Sequence, residues 1–201
     1  MIIDVSSTDV VTVYRAIVGV VTPRPIAWVT TVDDQGRVNL APFSFFNAFG
    51  ANPPVVVFSP TLRRDGTKKD TLLNLEAVGE FVVNSAVEAL AEKMNATSKE
   101  LPRGQSEADF AGLELRPSSK VRPPRVALAP VHLECRVRQI IPIGDGPIAA
   151  NLVIGEVLLI HVADSVLDPG GSVDPKKLRT IARLGSDYYC RSTDLFEMLR
   201  P

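Results

Sequence analysis

Histidine is almost missing from this chain. Its 201 residues hold two, His132 and His161. Neither has a partner His or Cys at metal-ligand spacing, so no dedicated zinc site is expected. The two cysteines, Cys135 and Cys190, lie far apart and read as structural thiols, which fits a cytoplasmic address. No apolar run approaches the ~18 residues that cross a bilayer. The first residues, MIIDVSSTD, lack both a basic segment and a long apolar one, so no signal peptide is expected. Charge of one sign is also lacking: 22 basic and 23 acidic residues leave a net charge of -1. That balance leaves no electrostatic footprint for nucleic acid or an anionic membrane. The basic clusters Arg63–Arg64, Lys68–Lys69 and 122–125 are short and read as solvated surface.

Motifs are as scarce as metal ligands. No G-x-G-x-x-G follows a strand, no P-loop is present, and no G-x-S-x-G elbow occurs. Little remains for acid–base or nucleophilic catalysis by side chains, and no catalytic residue is identified. If the protein is an enzyme, a bound organic cofactor carries its chemistry. The 45% hydrophobic content and ordinary charge density are those of a globular chain, read as a single domain over 1–201. There is no internal repeat, low-complexity tract or linker. The polar, proline-bearing stretch 101–124 reads as an excursion over the surface.

Strand signals dominate what is present. PIAWVTTV ends at the turn sequence Asp33-Asp34-Gln35-Gly36 and is answered by GRVNLAP, a hairpin signature. VVVFSP and EFVVNS are short buried strands. In 131–143, Val131, Leu133, Cys135 and Val137 alternate with His132, Glu134, Arg136 and Arg138, the period of a half-buried antiparallel strand with His132 outward. Gly144-Asp145-Gly146-Pro147 turns the chain into a return strand over 151–162. Helices are expected at 8–18 (capped by Ser or Thr), 71–78 (capped by Asp70), 87–94, 175–184 and 195–199. The pattern argues for a mainly β fold with helices, an antiparallel barrel decorated by helices, and against a doubly wound sheet.

Three polar clusters could serve a ligand with a flat ring, a polyol chain and a phosphate. Thr30 and Thr31 end a strand, and their hydroxyls point to opposite faces. Pro42 removes a ladder donor within NLAPFSFFN, where Ser44 and Asn47 stand among aromatics. Lys68-Lys69-Asp70-Thr71 sets cations and a hydroxyl at a helix start, which favours anions. There, Lys69 reads as exposed, adding little to stability. Each cluster alone is also what ordinary strand surface, core or a capped helix start would supply.

Taken in order, TPRPIAWVTT, NLAPFSFFNAFGANPPVVVFSP, KKDTLLNL, EFVVN, PVHLECRV and RLGSDYY resemble the flavin reductase-like family, with its FMN-binding split barrel of antiparallel, Greek-key-like strands, and most of all its flavoredoxin-like subgroup. The resemblance implies a homodimer with bound FMN near the subunit interface and NAD(P)H as a possible co-substrate. It implies that Arg24, Pro25, Ala27, Val29, Thr30 and Thr31 line the flavin. Asn39, Ala41, Pro42, Phe43, Ser44 and Phe45 form a second flavin-contacting segment, with Asn47 close by. Ser59, Lys69, Asp70 and Thr71 help hold the ribityl-phosphate end. RLGSDYY departs from the family pattern, which often has a second Gly where Ser186 stands. The activity implied is an NAD(P)H-dependent reduction of flavin or another acceptor, serving a redox-protein or monooxygenase partner. An electron-transfer protein reduced by another protein, and a non-catalytic FMN-binding barrel, are the alternatives. For NADPH, a 2′-phosphate pocket comes from Arg24 or from Arg122 and Arg125.

Overall fold

In a computed structural model, which describes residues 1–200, the chain runs through five α-helices and twelve strands. In order these are α1 (Val10–Val20), β1 (Arg24–Pro25), β2 (Ala27–Val32), β3 (Val38–Phe43), β4 (Phe46–Ala51), β5 (Pro54–Phe58), α2 (Asp70–Val78) and β6 (Glu80–Ser85). There follow α3 (Ala91–Ala96), α4 (Glu107–Phe110), β7 (Leu115–Arg116), β8 (Arg125–Val126), β9 (Val131–Ile143), β10 (Ala150–Val162), α5 (Pro175–Leu178), β11 (Ile181–Arg183) and β12 (Tyr189–Arg191).

Seven strands form one antiparallel sheet in the order β3-β2-β6-β9-β10-β5-β4. The expected β2–β3 hairpin is present. Asp33 closes it by accepting through Oδ1 from the Gln35 and Arg37 N–H groups at 3.0 and 2.8 Å. β2 is buried along its whole length because it separates two cores. Trp28 faces one, with Leu40, Leu90, Met94 and Ile181. Ala27 and Val29 face the other, with Phe43, Phe58, Phe81 and Val153. That is why PIAWVTTV has no polar face. The second core closes tightly over Phe81. β10 crosses its ring at Gly155, beside a bulge, where a Cβ would lie 2.3 Å from Phe81 Cζ.

Several expectations are corrected. α1 is capped by Asp9, whose Oδ1 accepts from the Val11 and Thr12 N–H groups at 3.0 Å, and not by Ser or Thr. The N-cap of α2 is Lys69, and Asp70 is its first residue. The expected 175–184 helix ends at Leu178, where Arg179 turns left-handed with φ 50°, and the chain pairs as β11 between β1 and β12. Burial of Ile181 and two strand partners outweigh the local helix signal. Residues 195–199 form no helix. Leu195, Phe196, Met198 and Leu199 are exposed, and a capping signal alone does not nucleate a short helix.

The alternation in β9 also misleads. His132 and Glu134 are buried rather than outward, because the segment after β7 folds over them. Glu134 has no exposed surface and accepts from the Ser119 and Lys120 N–H groups, while His161 Nε2 lies 2.6 Å from its Oε1. Burial alone would raise the Glu134 carboxyl, but these hydrogen bonds hold it below the usual carboxylate range. The 101–124 stretch is accordingly no mere surface excursion: Glu107, Ala108 and Leu113 are buried.

Candidate functional site

The site grows from β3. In the seven-strand order β3 is an end strand with β2 as its ladder partner, so its outer edge is open to other groups. Pro42 sits on this strand, where a missing N–H leaves no ladder bond unmade. Along the edge, the start of α2 and the segment 97–101 enclose a cavity of about 150 Å³. Asn39, Ala41, Pro42 and Phe43 form one wall, and Lys69, Asp70 and Thr71 another. Arg63, Ser98, Lys99, Glu100 and Glu107 complete the lining with Thr97 and Leu101. Asn39 Nδ2 donates to Thr71 Oγ1 at 2.8 Å and so ties strand to helix across the cavity.

The electrostatics of this cavity are lopsided. Asp70 is engaged by Arg63 at 3.7 Å and by Arg103 at 3.4 Å. Glu100 is 3.8 Å from Arg63. Lys69 has no such partner among the described residues. It is half-buried rather than exposed, its Nζ lies 5.6 Å from the Phe43 ring centroid, and burial pushes its amine below the ordinary lysine range. A desolvated cation with no carboxylate in contact, Glu100 opposing the effect of burial only from a distance, is held at a cost that an entering anion would remove. Glu107 is the converse case. It is 7% exposed, and its Oε2 accepts from the Leu40 N–H on the open edge of β3 at 3.0 Å. Burial pushes its carboxyl up, against the lowering effect of that bond.

A second cavity, of about 360 Å³, shares Pro42, Phe43 and Ser98 with the first. Tyr14 of α1, Ser44, Asn95, Arg183, Asp187 and Tyr189 are on its other sides. The Arg183 guanidinium carbon lies 4.5 Å from the Tyr189 ring centroid, and Tyr189 donates its hydroxyl to Asn95 Oδ1 at 3.2 Å. Tyr14 meets Phe45 edge-to-face at 6.3 Å. The two cavities together give an anion-seeking end and an aromatic end joined along β3. That donor set fits a ligand bearing a phosphate, a polyol chain and a flat ring.

The residues expected from sequence divide into two groups. Asn39, Ala41, Pro42, Phe43, Ser44, Lys69, Asp70 and Thr71 come together along these cavities. The others line neither. Ala27 and Val29 are core, and Thr30 and Thr31 have no exposed surface. Their hydroxyls accept from Asn84 Nδ2 and Asn74 Nδ2 at 2.8 and 3.1 Å. Pro25 lines an apolar cavity elsewhere, with Phe46 and Leu133. Asn47 is exposed, and Ser59 is buried, its Oγ accepting from the Asn151 N–H at 3.2 Å. Arg24 is buried, and its guanidinium donates to the carbonyls of Val18, Val21 and Leu184 and to Ser44 Oγ. It therefore has no free edge for a 2′-phosphate. Arg122 and Arg125 line neither cavity; Arg125 donates to the Pro117 carbonyl.

Arg63, Tyr14, Ser98 and Glu107 were not singled out as binding residues by sequence, and Arg183 and Tyr189 only as part of RLGSDYY, the segment that the resemblance places beside the flavin. Arg63 was hidden in a basic cluster of the kind that is ordinarily solvated. Glu107 lies in a polar tract with no periodicity, and nothing in its local sequence marks it as buried.

A family model described as the flavin reductase like domain matches residues 20–180. An uncharacterized protein of Aquifex aeolicus is 42% identical over 188 residues, 94% of each chain. Nitrilotriacetate monooxygenase component B from Bacillus cereus superimposes with a TM-score of 0.92 at 34% identity, covering 98% of both chains. The Pseudomonas fluorescens 2-nitrobenzoate 2-nitroreductase gives 0.89 at 33% identity, covering 100% of this chain and 96% of the other. The flavoredoxin of Desulfovibrio vulgaris (Miyazaki F) shares the fold, with a TM-score of 0.75 at 18% identity over 100% of this chain and 97% of its own.

Proposed function

The chain belongs to the flavin reductase-like domain family, whose chemistry is flavin-related oxidoreduction, and on that premise we propose that it is an FMN-dependent oxidoreductase using NAD(P)H. The observation that carries this reading is Lys69, a half-buried amine without a carboxylate, beside Arg63 in a cavity that opens toward aromatic walls. In this proposal Lys69 and Arg63 hold the phosphate. Asn39, Thr71 and Ser98 receive the polyol, and Pro42, Phe43 and Ser44 border the ring. When bound, the flavin supplies two-electron redox chemistry that no side chain here can supply.

The protein's own residues do the rest. Lys69 and Arg63 neutralise the anionic end. Pro42 and Phe43 keep water off one side. Arg183, held over Tyr189 and paired with Asp187 at 3.4 Å, borders the second cavity, where a nicotinamide dinucleotide or an acceptor would enter. The work of the cleft is alignment of reacting groups, a positioning effect. The acceptor is free flavin or a partner such as a monooxygenase, in keeping with the 34% identical component B. A second reading, reduction of a nitroaromatic acceptor at the same site, is favoured by the 33% identical nitroreductase. We also assign a homodimer, in which the exposed Val10, Ile17 and Val20 of α1 and Phe49 of β4 would be covered.

An absorption spectrum of the purified protein, with and without added FMN, is the first test. A protein that stays colourless and ignores FMN refutes the flavin reading. Anaerobic stopped-flow mixing with NADH and NADPH is the second. Slow or absent bleaching with both, combined with rapid reduction by a ferredoxin-type donor, would replace the reductase by an electron-transfer protein.

A further inference from the structure

Glu107 is the carboxyl of the polar cavity that has no cationic partner among the described residues. Asp70 is paired with Arg63 and Arg103. Glu100 is paired with Arg63, and its side chain is 74% exposed. Glu107 is 7% exposed, and one oxygen, Oε2, is taken up by the Leu40 N–H. Apart from Glu107's own backbone N–H, which also acts on the carboxyl, no other described residue is a donor to it, and the residue lines the cavity. The side chain is thus a buried carboxyl without a cation, on the wall of the space where an anion-bearing ligand is read to sit.

Charge bookkeeping sharpens this. The cations lining the cavity are Arg63, Lys69 and Lys99; the carboxyls are Asp70, Glu100 and Glu107. Three charges of each sign line the cavity, and Arg103, outside the lining, also engages Asp70, so Glu107 is the carboxyl left without a cation. A phosphate brings up to two further negative charges. Asp70 is shielded by two guanidiniums and Glu100 by solvent, so Glu107 is where the added repulsion is relieved. β3 contributes no titratable group to the cavity, and Asp109, on Glu107's own helix, faces a different hollow.

We propose that Glu107 is a ligand-contacting residue that enters the FMN complex as the neutral acid, taking one proton from solvent and donating it as a hydrogen bond to a phosphate or hydroxyl oxygen of the ligand. This rests on the flavin reading above. Burial already biases Glu107 toward the protonated form, and the incoming anion completes the shift.

The test is calorimetric titration of the full-length protein with FMN at pH 7 in two buffers of different ionisation enthalpy, for wild type and Glu107→Gln. Glutamine keeps a carbonyl oxygen for the Leu40 N–H and an N–H₂ group in place of the acid proton. Wild type is expected to take up close to one proton more than the variant. Between pH 7 and 9, where the phosphate is fully ionised, wild-type affinity should fall more steeply than the variant's, by up to about tenfold per pH unit. Any slope due to Lys69 is common to both. Equal proton uptake with parallel pH profiles, while both proteins bind FMN, overturns the proposal and leaves the flavin reading intact. Failure of both to bind FMN overturns the two together. Should the variant misfold, infrared spectra of wild type carrying ¹³C-glutamate decide the matter: a protonated-carboxyl band that grows on FMN saturation is expected, and its absence refutes the proposal.

Discussion

The guanidinium of Arg24 donates from Nη2 to the carbonyl of Leu184 at 3.0 Å, 160 positions along the chain. Its Nη1 donates to the carbonyls of Val18 and Val21 at the end of α1, at 2.5 and 2.7 Å, and its Nε to Ser44 Oγ at 3.3 Å. One buried side chain thereby joins three segments that border the second cavity. The same junction is tight enough that a Cβ on Gly185 would lie 3.1 Å from Gly19 Cα. An arginine at the carboxyl end of a helix also satisfies carbonyls that have no partner within it.

Arg24→Lys is therefore expected to destabilise the protein by about 2 kcal/mol, because one ammonium cannot span four acceptors and leaves buried carbonyls unpaired. Urea denaturation measures this. Hydrogen exchange should show the loss concentrated in α1 and in residues 184–188. Retained stability would mean that packing, not the guanidinium, holds the junction.

Lys69→Met should separate binding from folding. Removing a half-buried, unpaired amine is expected to leave stability unchanged or raise it by up to about 1 kcal/mol. A hydrogen bond to a charged group is worth about 1.5–3 kcal/mol, so FMN affinity should fall roughly 10- to 100-fold. Fluorescence titration with FMN checks the second expectation, and an unchanged affinity would move the phosphate elsewhere.

Gly155→Ala should be severe for a single methyl. Its Cβ would enter the Phe81 ring, and overpacking at such a contact costs about 3 kcal/mol. Gly79→Ala is the control. Gly79 closes α2 with φ 73°, and a Cβ there meets nothing within 4 Å, so only the conformational cost of about 1 kcal/mol applies. Comparable losses for the two would refute the steric account.

Acid stability should depend on Glu134. Its folded-state pKa is depressed from the usual 4.5, so the unfolded chain binds the proton more readily. The stability this confers is present above the unfolded pKa and is lost as pH falls below it. Glu134→Gln should be less stable than wild type at pH 7 by about 1–3 kcal/mol, and the gap should narrow below about pH 4.5. Urea midpoints at pH 7 and at acidic pH check this. Glu107 has the opposite sign: its pKa is raised, so ionising it as pH rises costs stability.

Local chemistry was enough to read β2, β3, β5, β6, β9 and β10, but not the short strands such as β11, which pairs only through distant partners. β2 and β3 announce themselves by β-branched residues and a turn at Asp33–Gly36, and the edge position of β3 is consistent with Pro42. The helix starts at Asp9 and Lys69 could be placed to within a residue or two, because caps act through neighbours only a few positions away. Much of NLAPFS and KDT also proves to border the same cavities, since those residues need only reach across a single strand edge.

What tertiary structure decided were the roles of charges and hydroxyls. Thr30 and Thr31 look like ligand contacts, yet Asn84 and Asn74, far along the chain, already donate to them. Arg24 looks like a free cation until Val18, Val21 and Leu184 gather around it. Glu107 looks solvated until β3 presents the Leu40 N–H to it. Whether a polar group is available to a ligand depends on which partners packing brings within about 3 Å, and those partners come from anywhere in the chain. Periodicity and turn chemistry act over a few residues, so the sequence determined the elements and one wall of the cleft, while packing decided which polar groups were left free to bind.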